Sequence, residues 1–127
     1  MAAVIEVGQR DFEEAIAGPN PVLVDFSASW CGPCRAMSPA LEAFATHRTD
    51  DLAVVKIDID AAPAVAARHG IRSVPTLMLF QDGKPVAVQT GMMSEKQLGA
   101  FVDEHLQPRD TRVVEQDPNR PQVKLDW

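Results

Sequence analysis

The 127-residue chain has only two cysteines, and they stand three positions apart in the sequence Trp30-Cys31-Gly32-Pro33-Cys34. The pair follows a strongly apolar run and precedes a stretch in which apolar residues recur at helical spacing. A cysteine that opens a helix lies among unpaired N–H groups at the positive end of the helix dipole, which favours the thiolate. The second cysteine follows one turn later, within reach of a disulfide with the first. The pattern therefore predicts a dithiol redox centre in which Cys31 is the nucleophile and Cys34 resolves mixed disulfides.

Two other uses of a cysteine pair fit this sequence less well. A zinc site needs four ligands, and His47 follows Cys34 after twelve residues, as in the start of a zinc-finger pattern. The next histidine, His69, lies far beyond the spacing that such a finger requires. A purely structural disulfide over so short a loop removes little chain entropy and would stabilise the fold only weakly. Redox chemistry remains the favoured interpretation, with no metal site.

Composition predicts one globular domain with a substantial core, since 46% of the residues are hydrophobic. The sequence has no stretch with the features of a signal peptide or the length of a membrane span. We therefore expect a cytoplasmic protein without a membrane partner, in a compartment where thiols are reduced and a cysteine pair is more often catalytic than structural. The net charge is −6 and no cluster of Lys and Arg occurs, which argues against binding to nucleic acid.

Hydrophobic periodicity and turn signals predict the element order β-α-β-α-β-α-β-β-α. Strands are expected over Val4 to Val7, Val22 to Phe26, Val54 to Ile59, Thr76 to Phe80 and Val86 to Thr90. Helices are expected over Asp11 to Ala17, Cys31 to about His47 with a kink at Pro39, Ala61 to His69, and from Ser94 onward. Asp82-Gly83 is a strong hairpin signal, and Ser94 with Gln97 forms a capping box. Early alternation favours parallel strands, and the final hairpin adds two antiparallel ones.

The chain divides into a domain over residues 1–106 and a C-terminal extension over residues 107–127. Pro108 ends the last helix, and Pro118 and Pro121 prevent another from forming. Mixed charge and prolines favour a mobile extension. The alternation in Val123 to Trp127 leaves open that the end docks on an apolar groove or a partner.

Several motifs together carry a resemblance to the thioredoxin family. They are Val24-Asp25-Phe26, Trp30-Cys31-Gly32-Pro33-Cys34, Pro39, Lys56 with Asp58 and Asp60, Ile71-Arg72-Ser73-Val74-Pro75-Thr76, Asp82-Gly83 and Gly91. The resemblance spans residues 1–106 and implies an α/β thioredoxin fold: a central mixed five-stranded sheet flanked by helices on both faces, with the dithiol at the exposed tip of a strand.

The resemblance also implies a function, that of a monomeric general protein-disulfide reductase. Its partners would be an NADPH-dependent thioredoxin reductase and disulfide-containing clients such as reductases and peroxidases. The chain has no Gly-x-Gly-x-x-Gly, so NADPH would bind the reductase, and this chain would need no cofactor beyond its own disulfide. Two alternatives stay open: a binding or chaperone module of the same fold without redox turnover, and a disulfide oxidase or isomerase.

Asp25 is a candidate general acid or base on grounds independent of the family. A carboxylate within an apolar strand is costly to ionise, so its pKa should be raised toward neutrality. Strand alternation places Asp25 on the face opposite Val24 and Phe26. The family arrangement places the strand of Lys56 alongside, where the ammonium partly compensates the charge. We expect Asp25 to exchange a proton with Cys34; the alternative is a buried ion pair kept only for structure.

The resemblance implies a cis bond before Pro75, which would face the dithiol and leave the backbone of Val74 able to pair with an extended client. An ordinary trans turn proline is the alternative. The apolar rim around Cys31 is expected to consist of Trp30, Gly32, Pro33, Ile59, Val74, Gly91 and Met92. Met92 could instead be partly buried in the core, where Met93 is assigned.

Two residues near the dithiol depart from the family pattern, Ser27 and Arg35. Arg35 replaces the common lysine after the motif and keeps a positive charge near the thiolate. Ser27 stands where many members carry a second tryptophan, which predicts looser packing beside the dithiol. The three histidines, His47, His69 and His105, stand toward the C-terminal ends of helices, where a cation complements the helix dipole. None of the histidines is expected to be catalytic.

Overall fold

The apolar run that begins at Val22 becomes the central strand of a five-stranded mixed sheet. The structure is a computed structural model that describes residues 3–106, so the extension over residues 107–127 lies outside the described residues. The strands are β1 (Val4–Val7), β2 (Val22–Ser27), β3 (Ala53–Asp58), β4 (Thr76–Gln81) and β5 (Lys84–Thr90). The helices are α1 (Phe12–Ile16), α2 (Gly32–His47), α3 (Pro63–Arg68) and α4 (Glu95–His105).

The strands lie in the order β1-β3-β2-β4-β5. Strands β1 and β2 both pair with β3 in parallel, whereas β4 is antiparallel to β2 and to β5. This arrangement confirms the expected mixture of parallel crossovers and a final hairpin. Every residue of β2 and β4 is buried, as expected of strands that are covered on both faces.

Two apolar cores cover the two faces of the sheet. On one face, Leu23 and Leu79 pack with α2 and α4. On the other, Phe26 and Phe80 pack with α1 and α3. Because side chains alternate along β2, Asp25 shares the face of Leu23 and points toward the α2 side. The fold therefore brings a carboxyl group to the face on which the helix of the two cysteines lies.

Local signals set the ends of the elements. In the hairpin, Asp82 and Gly83 have φ of 56° and 77°, the left-handed conformation that a type I′ turn requires at both positions. The Ser94 hydroxyl accepts the N–H of Gln97, whose side-chain oxygen accepts the N–H of Ser94 in return. The predicted hairpin and capping box are thereby confirmed.

Several predicted boundaries differ from the structure by one or two residues. Helix α3 begins at Pro63, not Ala61, because a proline at the first helical position has no N–H to satisfy and is already fixed at a helical φ. Helix α2 contains Pro39, and the kink expected there stays a prediction. Within residues 3–106, no helix combines the length and the apolar character that a bilayer span needs.

Candidate active site

The two cysteines lie where β2 gives way to α2, and they form a disulfide. Cys31 is the N-cap of the helix, and its Sγ accepts the backbone N–H of Cys34 at 3.1 Å. Pro33 stands in the first turn, where its missing N–H costs no hydrogen bond. The next N–H of that turn, from Arg35, donates to the backbone carbonyl of Cys31 at 3.2 Å. A thiolate on Cys31 would therefore be stabilised by the helix N-terminus after reduction.

Both cysteines are buried, although the resemblance implied a dithiol at the exposed tip of a strand. Cys31 is 3% exposed, because Ala28, Ile59 and Val74 pack around the disulfide. The expectation of an exposed dithiol was wrong in this respect: only the loop around it is exposed. Any disulfide that reacts with Cys31 therefore has to approach closely against these surrounding side chains.

Trp30 provides the largest exposed apolar surface beside the dithiol, with 64% of the residue accessible. Its indole Nε1 donates a hydrogen bond to Oδ2 of Asp60 at 2.7 Å. Asp60 in turn follows Asp58, whose Oδ1 accepts the N–H of Asp60. The sequence analysis did not assign Asp60 this role. It orients the ring of Trp30, whereas the sequence analysis had named it only as part of the family motif formed by Lys56, Asp58 and Asp60.

The peptide bond between Val74 and Pro75 is cis, which confirms the prediction and excludes the trans turn. The carbonyl of Pro75 accepts the N–H of Gly91 at 2.8 Å. Gly91 has φ of 98°, a conformation that side chains other than hydrogen strain, so glycine is required where the two loops meet. These contacts bring the two loops together at the start of β4.

The two adjacent methionines after Gly91 lie in different environments. Met93 is buried, and its N–H contacts Sδ of Met37 in α2, so its assignment to the core is confirmed. Met92 is 55% exposed, so the alternative of a partly buried core residue is wrong. The structure thus leaves the Met92 thioether on the surface, one residue beyond the contact between Gly91 and the cis proline.

Asp25 is 1% exposed, and within residues 3–106 neither carboxylate oxygen has a hydrogen-bond partner. Burial raises the pKa of this carboxyl to about 6, and the nearby charge of Lys56 opposes the rise. Lys56 is the register partner of Asp25 on β3, as the resemblance implied. Its ammonium contacts the Ser38 hydroxyl at 3.4 Å, and Asp25 is without a hydrogen bond, so the alternative of a paired structural ion pair is not supported.

Ser38 connects the lysine to the cysteine helix and was missed by the sequence analysis. Its hydroxyl donates to the backbone carbonyl of Cys34 at 3.2 Å and accepts from Lys56. A cleft of about 240 Å³ opens beside Cys34 and reaches both Lys56 and the small side chain of Ser27. The cleft agrees with the looser packing expected at Ser27. Cys34 and Lys56 line this cleft, whereas Asp25 is not among the residues that line it.

His69 lies far from this chemistry, among the rings of Phe12, Phe26 and Phe80. His69 does stand at the C-cap of α3, as expected, but burial lowers its pKa and favours the neutral ring over a cation. His47 does lie in the last turn of α2 and pairs with Glu95. Among the described residues, no three His, Cys, Asp or Glu side chains are grouped as metal ligands.

Comparison with known proteins identifies the family. The family model described as Thioredoxin matches residues 3–104. The chain is 44% identical to the thioredoxin of Alicyclobacillus acidocaldarius over 105 residues, which are 83% of this chain and 100% of the relative. It is 43% identical to the thioredoxin of Acidithiobacillus ferridurans, over 82% of this chain and 97% of the relative. It is 36% identical to the thioredoxin of Haemophilus influenzae, over 84% of this chain and 100% of the relative. The chain therefore belongs to the thioredoxin family of thiol-disulfide oxidoreductases, with Cys31 and Cys34 as its redox-active pair.

Proposed function

We propose that the chain is a general protein-disulfide reductase. The observation that carries the proposal is the position of Cys31. It is the N-cap of a helix, and its sulfur accepts a backbone N–H of the first turn. Apolar side chains surround it, and one of them, Val74, precedes the cis proline. A thiolate at such a site is an effective nucleophile toward disulfides. An NADPH-dependent thioredoxin reductase would return the disulfide to the dithiol, since the chain itself has no nucleotide-binding motif. We place this activity in the cytoplasm.

The reaction moves two electrons in two exchange steps. The Cys31 thiolate attacks one sulfur of a client disulfide, which forms a mixed disulfide and releases the other client sulfur as a thiolate. The Cys34 thiolate then attacks Sγ of Cys31, which closes the internal disulfide and releases the second client sulfur. The backbone contact between the two cysteines keeps them within bonding distance, with Cα atoms 5.3 Å apart.

Asp25 is proposed to take the proton from Cys34 before the second step. A carboxyl with a pKa of about 6 can accept a proton from a thiol and return it to solvent near neutral pH. Lys56 would favour the ionised carboxylate, and the solvent cleft beside Cys34 offers the proton a way out. Ser38 is proposed as a positioning residue, because it holds the Lys56 ammonium against the helix of Cys34.

Clients and the reductase are proposed to dock on the surface around Cys31, with the chain acting as a monomer. Apolar contact combined with backbone pairing recognises shape without requiring one sequence, which suits many clients. The docking surface is formed by Trp30, Gly32, Pro33, Ile59, Val74, Pro75, Gly91 and Met92.

Insulin reduction by NADPH, thioredoxin reductase and the purified chain tests the proposal. We expect turnover by the wild type and none by Cys31→Ser or Cys34→Ser. Cys34→Ser should also accumulate a covalent client adduct at Cys31, visible by mass spectrometry. If the wild type binds insulin chains but reduces no disulfide, the chain is a binding module. If the adduct forms at Cys34 in Cys31→Ser and never at Cys31, the assigned roles are reversed.

A further inference from the structure

The chain has five methionines, and the structure describes four of them. Met37, Met78 and Met93 are each 6% exposed or less, whereas Met92 is 55% exposed. A thioether is oxidised by peroxides to the extent that they reach its sulfur. Among the described methionines, oxidation should therefore be selective for Met92. Its sequence neighbour Met93 is a natural control for the effect of burial.

Two hydrogen bonds fix the backbone on either side of Met92. The preceding residue, Gly91, donates its N–H to the carbonyl of Pro75 at 2.8 Å. The following residue, Met93, directs its N–H to Sδ of Met37, which lies on α2 three residues after Cys34. Met92 is thus held between the cis-proline loop and the cysteine helix. These contacts fix the backbone at Met92 one residue from the partner of Pro75, which follows Val74, and Val74 packs against the two cysteines.

Met92 and Trp30 are two of the four large hydrophobic residues that are exposed within residues 3–106. The other two, Ile5 and Val88, belong to the edge strands β1 and β5. A sulfoxide is polar and would have to lose water whenever an apolar client surface covers it. Oxidation at this position should therefore weaken docking and leave the exchange chemistry at Cys31 intact.

We propose that Met92 is a site of reversible oxidation by peroxides that lowers the affinity of the dithiol face for its clients; the inference rests on the proposed function. A hydroperoxide transfers one oxygen atom to the thioether sulfur, its O–O bond breaks, and it leaves as an alcohol or as water. Sulfur is oxidised by two electrons and the peroxide is reduced by two. A dithiol-dependent methionine sulfoxide reductase reverses the change, since sulfoxide and two thiols yield thioether, disulfide and water.

The test begins with the full chain in its disulfide form, in which neither cysteine is open to peroxide. After treatment with hydrogen peroxide and removal of the excess by catalase, peptide mapping by mass spectrometry should find the sulfoxide at Met92 well before Met37, Met78 or Met93. Kinetics of insulin reduction before and after treatment should show KM raised roughly threefold to tenfold with kcat nearly unchanged.

Three variants separate this effect from general damage. In Met92→Leu, KM should be the same before and after peroxide, whatever its starting value. In Met93→Leu, the peroxide-dependent rise in KM should persist as in the wild type. Met92→Gln carries a permanent polar group and should have a raised KM without any peroxide.

The outcomes that overturn the inference are distinct from failure of the proposed function. Equal oxidation of Met92 and Met93 would contradict the selectivity, and a Met92 sulfoxide with unchanged KM would contradict the effect on docking. If the untreated chain does not reduce insulin, the proposed function fails. The order of oxidation would still decide whether Met92 is the modified site.

Discussion

Asp25 is buried and His69 is partly buried, and each has side-chain atoms that are buried without a hydrogen-bond partner among the described residues. The two residues nevertheless lie on opposite faces of the sheet. Burial is the main cause of the pKa shift in both and favours the neutral form in both. Their neighbours differ: Asp25 is paired in register with Lys56 on the face of the dithiol helix, whereas His69 has three phenylalanine rings within 5.4 to 6.2 Å. Burial of a titratable group therefore does not by itself indicate a functional role. The side chains that lie beside the group indicate whether it has one.

The two residues also make folding depend on pH in opposite directions. Asp25 has a pKa of about 6 when folded and 3.8 when unfolded, so the folded state holds its proton more tightly. Compared with high pH, the contribution of Asp25 to the free energy of unfolding is therefore favourable at low pH. This advantage is lost as the pH rises from 3.8 to 6. His69 has a folded pKa below its unfolded value of 6.5, so the unfolded state holds the proton more tightly. Compared with low pH, the contribution of His69 to the free energy of unfolding is favourable above pH 6.5. This advantage is lost as the pH falls.

The largest effect on stability is expected in the aromatic cluster. Phe12 is fully buried and its ring contacts Phe26, Phe80 and His69. Phe12→Ala should lower the free energy of unfolding by about 3 to 5 kcal/mol, because it removes these contacts and leaves a cavity. Urea denaturation gives the loss. Insulin reduction per folded molecule should be unchanged, and a fall in that rate would mean that the cluster supports the site.

Asp25→Asn should have the opposite effect on stability. The shift of about two pKa units corresponds to a penalty of about 3 kcal/mol at neutral pH and above, because each unit is worth about 1.4 kcal/mol. The variant should therefore be more stable than the wild type at about pH 8 and equal to it at about pH 3.5. Urea denaturation at both pH values measures this difference.

Asp82→Asn is the matched control for that variant. Asp82 is exposed in the hairpin turn, at a left-handed φ that asparagine also adopts. The difference in free energy of unfolding between Asp82→Asn and the wild type should be about the same at the two pH values. If Asp25→Asn were no more stable than the wild type at pH 8, the carboxyl would have to be well paired when ionised.

His69→Phe should stabilise the fold by a smaller amount, on the order of 1 kcal/mol, because it removes a buried nitrogen without a hydrogen-bond partner. The gain should be larger at about pH 5 than at pH 8, since only the histidine form is penalised by protonation. His47→Gln is the control, because His47 is exposed and pairs with Glu95. A loss of insulin reduction in folded His69→Phe would refute the contrast with Asp25.

The smallest effect is expected from Lys56→Met. Its charge lowers the pKa of Asp25 but its ammonium makes no hydrogen bond to the carboxyl. The pKa of Asp25 should rise by less than about one unit, as carbon NMR of the carboxyl group would measure. Lys84→Met, on the exposed start of β5, should leave that pKa where it is. A fall in the pKa of Asp25 in Lys56→Met would show that the charge of Lys56 does not favour the ionised carboxylate.

Local patterns were sufficient to predict most of the fold. The apolar run of β2, the Asp82-Gly83 turn and the Ser94 capping box act through neighbours in sequence, so the sequence alone indicates them. The dithiol and its place at the start of a helix were predictable for the same reason. The cis bond before Pro75 came from the family resemblance, because spacing cannot distinguish the two isomers.

The contacts that were missed join residues far apart in the chain. The bond from Trp30 to Asp60 and the contact of Ser38 with Lys56 depend on how α2 packs against the end of β3. The aromatic surroundings of His69 depend on packing between α1, α3 and the sheet. Position near a helix end indicated a charged histidine, but burial beside the phenylalanine rings and the nearby charge of Arg68 lower the pKa of His69.

The pH dependence of client release from the Cys31 mixed disulfide tests most directly whether the burial of Asp25 serves the reaction. Stopped-flow measurement from about pH 6 to 9 would compare the wild type, Asp25→Asn and His69→Phe. Asp25→Asn should be slower roughly 10²-fold near pH 7 and should approach the wild type at high pH, where Cys34 ionises without help. His69→Phe should follow the wild type throughout. Superimposable profiles for Asp25→Asn and the wild type would contradict the account and leave Asp25 with a structural role alone.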